Sequence, residues 1–155
     1  MQAHTASTLN GSRGNRIAAI TAGALARLDE VARVDARVSV VMLGANDVTQ
    51  FEPVPEILAR YRAIINRLAD RSEVIVVSTT LRAASQTEAN AEIAALNGAL
   101  AKECSSGSCR FIDLNAEIAP DGFAAPEFLI DPVHLSPAAY ARWREIMRRA
   151  LGCAA

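Results

Sequence analysis

The stretch "ARVSVVMLG", residues 36–44, is a short β-branched apolar run that ends on a glycine. "EVIVVSTT" (73–80) has the same character, and "RFIDL" (110–114) is a third, shorter candidate. Runs of this length, apolar at nearly every position, read as strands buried on both faces, as in a parallel sheet. Between them lie patterns of helical period. Ile17, Ile20, Leu25 and Leu28 mark one face, and Ile57, Leu58, Tyr61, Ile65 and Leu68 a second. Ile93, Leu96 and Leu100 mark a third, with Tyr140, Trp143, Met147 and Leu151 on a fourth. Strands alternating with helices of this size give βαβ units, hence an α/β chain with helices on both faces of a parallel sheet. "TASTLNGSRGN" (5–15) holds a weaker strand candidate that ends near Asn10.

With 155 residues, the chain is expected to form one domain over 1–155, with a core that needs no disulfide or metal. The net charge is −1 and Lys and Arg are scattered, which leaves no electrostatic footprint for nucleic acid or an anionic membrane. No run approaches the ~18 apolar residues of a membrane span. The first residues, "MQAHTASTLNGSRGN", lack the basic and then apolar regions of a signal peptide, so the expected location is cytoplasmic. Cys104 and Cys109 flank "SSGS" and would be able to close a small loop in an oxidising compartment. The expectation is instead free thiols at a helix end and a strand start, with Cys153 in a fraying tail.

In open α/β sheets, sites form at the carboxyl ends of the strands. That rule selects "LGANDVTQ" (43–50), "STTLRAASQ" (78–86) and the loop from Leu114 to His134. In the first, Gly44 permits a tight turn and Asn46 offers an amide donor suited to a developing oxyanion. Asn46 and Asp47 are equally readable as an Asx-turn and cap. In the third, "DPVHLSP" (131–137), Ser136 and Pro137 are explained as N-cap and first helical residue. Asp131 and His134 are not: an Asp three residues before a His can fix its tautomer and leave the other ring nitrogen as a base. The alternative is a surface histidine in a loop.

Taken together, the strand-end "GAND" and the later "DPVHLSP" resemble the SGNH (GDSL-like) hydrolase family, from about Asn10 to Leu151. "VVMLGANDV" is similar to that family's Asn-bearing block, and "FLIDPVHLSPAAYARW" to its Asp-x-x-His block and following helix. "NGSRGNRIAAI" resembles its Gly block, with Gly14 as the match. The resemblance implies a flavodoxin-like three-layer α/β/α fold and a serine esterase without metal or cofactor, acting on a small-molecule ester. It gives His134 as general base, Asp131 as its orienter, and Asn46 and Gly14 as oxyanion donors. An Asn46 in that role is worth roughly 3–4 kcal/mol of transition-state stabilisation.

The family's nucleophile sits in a Gly-Asp-Ser block on the first strand, and no such tripeptide occurs in the 155 residues. Thirteen residues precede Gly14, so a whole strand–helix unit is expected to be missing. That strand belongs inside the family's sheet, and its loss would strand backbone groups at a cost on the order of 1–3 kcal/mol each where buried. Three remedies are open: pairing of 3–9 with the 38–43 strand, a strand donated by another chain, or a natural protein longer than this one. The third is the expectation. An exposed edge would also favour self-association. Ser12 is the nearest substitute nucleophile, but its Gly/Asn/Ser turn explains it without chemistry. The sequence thus reads as an esterase domain inactive as it stands, or as a non-catalytic binding domain on the same fold. A nucleotide-binding domain is a weak third, since neither G-x-G-x-x-G after a strand nor a Walker motif is present. Phe51, Leu81, Phe123, Phe128 and Leu129 give the loops near the site an apolar tone that suits an acyl group or simple packing.

Overall fold

The computed structural model describes residues 21–153, Ala32 excepted. In chain order the elements are α1 (Thr21–Ala26), α2 (Leu28–Val31), β1 (Val38–Val41), α3 (Ala45–Thr49), α4 (Val54–Ala69), β2 (Glu73–Val77), α5 (Thr87–Cys104), β3 (Arg110–Ile112), α6 (Asn115–Ile118) and α7 (Pro137–Ala150), with a 3-10 turn at Pro126–Phe128. The described strands form one parallel sheet in the order β1-β2-β3. Val38 lies opposite Glu73 and Val41 opposite Val76, while Ile75 faces Arg110 and Val77 faces Ile112.

β2 is the central strand, and Val74, Ile75, Val76 and Val77 are all buried. That is what an unbroken apolar run requires when both of its faces meet helices. α4 presents Ile57, Tyr61, Ile64, Ile65 and Leu68 to the core, and α5 presents Ile93, Leu96 and Leu100. Both helical periods are therefore as the sequence predicts. Among the described residues no helix is long and apolar enough to cross a membrane.

The strands are shorter than their apolar runs, for a local reason each time. β1 ends at Val41 because the Leu43 backbone turns away to a side chain: its N–H donates to the Tyr61 hydroxyl at 2.8 Å, and that hydroxyl donates back to its C=O at 3.0 Å. β2 ends at Val77; Ser78 N–H still donates to Ile112 O at 2.9 Å, but Thr79 N–H goes to the Asn97 side chain at 2.8 Å. β3 stops at Ile112, and Leu114 N–H donates to the Ser78 hydroxyl at 2.9 Å.

Three expectations need correction or fall outside the described residues. The first helical stretch is two pieces, α1 and α2, with Ala24 and Leu28 in the core; Ile17, Ile20 and the 3–9 strand candidate lie outside the described residues. On α7, Tyr140 is not a core residue: it is 54% exposed, and Ala139 and Ile146 hold the buried positions. Residues 139, 143 and 146 follow one helical face, which places Tyr140 at its margin with its ring 5.9 Å from that of Trp143. Cys104 and Cys109 are a disulfide and not free thiols. α5 ends at Cys104, and a turn with Gly107 at φ 95° brings the chain back to β3, so the two Cα atoms lie 4.6 Å apart. Cys153 is free and exposed.

Candidate active site

The loop before α7 is closed by an antiparallel bridge between Leu129 and Leu135, with Ile130 N–H donating to His134 O at 3.0 Å. Inside it, Asp131 uses both oxygens. Oδ1 accepts from the backbone N–H groups of Val133 and His134, each at 2.8 Å, and Oδ2 meets His134 Nδ1 at 2.7 Å. These hydrogen bonds, backbone first and imidazole next, lower the carboxyl pKa from 3.8 to about 2. An ionised carboxylate only accepts, so Nδ1 carries a proton, and in the neutral ring the lone pair lies on Nε2. The pair stands in solvent, with the His134 side chain 72% exposed. Ser136 caps α7 as expected: its hydroxyl accepts from Ala139 N–H at 3.4 Å and donates to Glu127 O at 2.8 Å.

The turn after β1 is built in the opposite manner. Gly44 has φ 102°, and a Cβ there would sit 2.6 Å from Leu96 Cδ2 and 3.1 Å from Thr79 Oγ1. Only glycine fits both the backbone and the space. Leu43 O also accepts from Thr79 Oγ1 at 2.5 Å, so Tyr61 and Thr79 grip the turn together. Burial pushes the Tyr61 phenol well above its usual pKa, which keeps its donor in place. α3 begins on this turn with no side-chain cap, and Asn46 is half-buried in its first turn. Asp47 is fully buried: it accepts from Thr21 N–H at 3.0 Å and from the Thr21 hydroxyl, with Arg60 Nη2 at 3.5 Å. Asp47 therefore makes no Asx-turn in "GAND"; it fastens α3 to Thr21 in α1.

Between the two halves runs the segment 78–83, irregular but held at Ser78, Thr79, Leu81, Arg82 and Ala83. Three asparagines take its backbone groups. Asn97 pairs with both N–H and C=O of Thr79, Asn115 accepts from Leu81 N–H at 2.9 Å, and Asn90 accepts from Arg82 N–H at 2.7 Å. From this frame the Arg82 side chain reaches Ala45 O, beside Asn46, and Ala83 N–H donates to Pro132 O at 3.0 Å, between Asp131 and His134. The structure thus joins Asp131 to His134 directly, and links them to Asn46 through residues 82–83. Gly14 and Ser12 lie outside the described residues. Of the apolar loop residues, Leu81 is buried and Phe128 and Leu129 pack on the core; Phe51 and Phe123 face solvent. Arg82 and the asparagines were invisible as site residues in the sequence, because their partners are backbone atoms distant in the chain.

Residues 2–142 match the profile of the GDSL-like Lipase/Acylhydrolase family. The chain belongs to that family. Solved structures share its fold. A GDSL-like lipase from Bacteroides thetaiotaomicron superposes with a TM-score of 0.78 at 18% identity, over 86% of this chain and 71% of that one. A member of the lipolytic G-D-S-L family from Veillonella parvula gives 0.78 at 13% identity, over 88% and 77%. A variant of Axe2, an acetyl-xylooligosaccharide esterase from Geobacillus, gives 0.76 at 17% identity, over 88% and 69%. No curated protein sequence matches the chain. The parallel sheet with its flanking helices is the α/β fold of the GDSL-like hydrolases that it superposes on.

Proposed function

We propose that Asp131, His134, Asn46 and Gly14 form the base and oxyanion side of an ester-hydrolase site that works through a Ser-His-Asp mechanism. The observation that carries this reading is the 2.7 Å contact of His134 Nδ1 with an Asp131 carboxylate already fastened by two backbone N–H groups. It leaves Nε2 free to take a proton. In the reaction a serine oxygen bonds to the ester carbonyl carbon and passes its proton to Nε2. The carbonyl oxygen, now anionic, accepts from the Asn46 amide and the Gly14 N–H. The ester C–O bond then breaks, the leaving alcohol takes the proton from His134, and water repeats the cycle to release the acid.

No Gly-Asp-Ser block occurs among the 155 residues, so this chain by itself is proposed to be inactive. Incubation with a fluorophosphonate probe and a short p-nitrophenyl ester tests it. Neither labelling nor turnover is expected; stoichiometric labelling at Ser12 with turnover would show the chain to be an active esterase and overturn its proposed inactivity. The same missing block supports a second reading, a non-catalytic domain whose oxyanion pocket binds a small acyl or carboxylate group. Replacing His134 by Ala leaves ligand affinity unchanged under that reading.

The cytoplasmic location read from the first residues has the Cys104–Cys109 disulfide against it, because cytosolic thiols are kept reduced. We favour an oxidising compartment, in which alkylation without reductant modifies Cys153 alone. Self-association is supported by the β1 edge away from β2, which no described strand pairs. Light scattering should then find a species heavier than the 16.5 kDa chain.

A further inference from the structure

Arg82 is 6% exposed, yet no carboxylate among the described residues lies within ion-pair distance of it. Its Nη2 donates to Ala45 O at 2.9 Å and to Thr49 Oγ1 at 2.6 Å, and Thr49 Oγ1 in turn donates to Ala45 O at 2.9 Å. All of these acceptors are neutral. A buried guanidinium without a counter-ion is a destabilising choice for a fold, and a neutral donor would serve to hold one carbonyl and one hydroxyl. Burial disfavours the charge further and lowers the Arg82 pKa from its ordinary value. The fold nevertheless anchors this charge firmly, since Asn90 holds both N–H and C=O of Arg82 and Ala124 N–H also donates to its carbonyl.

Its placement offers a reason. The Ala45 carbonyl belongs to the peptide that leads into Asn46, so a cation bonded there fixes and polarises that peptide. An uncompensated positive charge, held still, acts on any anion formed beside it. The next residue, Ala83, holds Pro132 between Asp131 and His134. We propose that Arg82 is the positioning residue of the site: it sets Asn46 and supplies a positive field for an anionic ligand, a carboxylate or oxyanion, while Ala83 keeps the acid–base loop in the same frame. The inference rests on Asn46 acting as an oxyanion donor.

The test uses the full chain, ¹⁵N-labelled, with acetate as the probe and the Asn46 side-chain amide and the 131–134 backbone amides as reporters. Acetate is expected to shift the Asn46 signals saturably. Arg82→Gln should displace those signals before acetate is added and weaken acetate about tenfold, the scale of one charge-assisted hydrogen bond. Arg82→Lys, which keeps the charge, should restore most of the affinity. An Arg82→Gln chain with wild-type affinity and unmoved Asn46 signals overturns the proposal and leaves the ester reading standing. Equal loss in Arg82→Gln and Arg82→Lys, with shifts spread evenly over β1–β3, also overturns it, because the residue then serves folding alone. Should Arg82→Gln fail to fold, Arg82→Lys decides: affinity within about threefold supports the field, and a tenfold loss removes it. If wild type ignores acetate, Asn46 is no anion donor, and the inference that rests on it falls as well, whatever Arg82→Gln does to the Asn46 signals.

Discussion

The turn at 43–47 and the loop at 131–134 carry the two halves of one proposed site, yet the first is locked into the core and the second stands in solvent. The turn owes its shape to side chains from three other elements: Tyr61 on α4, Thr79 after β2 and Leu96 on α5. The loop owes its shape mostly to itself, through one carboxylate that binds two backbone N–H groups and an imidazole within three residues, with one outside hold from Ala83 N–H on Pro132 O. The difference suits the chemistry. An oxyanion donor gains from a rigid, water-poor setting, whereas a base that trades protons with substrate and water needs access.

The sharpest way to break the comparison is Gly44→Ala. The new Cβ meets the fully buried Leu96 at 2.6 Å on a backbone at φ 102°, so a loss of about 3 kcal/mol is expected in urea unfolding. Tyr61→Phe comes next: it leaves Leu43 N–H without its hydroxyl acceptor, for about 2 kcal/mol in the same measurement. Leu43 O keeps Thr79, so the turn should loosen without melting.

Phe51 sharpens the contrast from the other side. α3 ends in a Schellman motif, with Glu52 N–H on Asp47 O and Phe51 N–H on Val48 O, and Phe51 sits at the left-handed position with φ 58°. Its side chain is 91% exposed, so nothing in the core rewards that strain. Phe51→Gly should therefore stabilise the chain by about 0.5–1 kcal/mol, read as a raised unfolding midpoint.

Asp131→Asn has the smallest global effect: the unfolding midpoint stays in place while the amides of Val133 and His134 lose protection from hydrogen exchange. In the wild type, the folded carboxyl titrates at about 2, below its ordinary 3.8. The loop's fastening is thus complete above the ordinary value and is lost as pH falls through about 2. A carboxyl ¹³C titration with its midpoint near 3.8 would show that the three hydrogen bonds do not hold in solution.

The sheet was legible because its information is local. Val38–Val41 and Val74–Val77 are apolar almost without alternation, and only a strand covered on both faces tolerates that pattern. Asp131 and His134 were legible for the same reason, since three residues of spacing allow a carboxylate to reach an imidazole within one loop. Tyr140 misled because an aromatic at helical spacing was counted into a face whose centre the packing placed one residue away. The cysteine pair misled because five residues of separation do not say whether a turn closes, and here Gly107 closes it.

By itself, then, the sequence determined the α/β alternation, the glycine turn and the acid–base pair, all of which depend on neighbours within a few residues. Tertiary structure alone decided that Asp47 serves α1, that Tyr61 grips Leu43, and that Arg82 reaches Ala45 while Ala83 reaches Pro132. Those partners are far apart in the chain, by 18 positions from Leu43 to Tyr61 and by 37 from Ala45 to Arg82. Side-chain-to-backbone bonds of that kind leave no periodicity, because any residue can supply the carbonyl. Only the folded sheet brings its strand ends together and so gives each donor its acceptor.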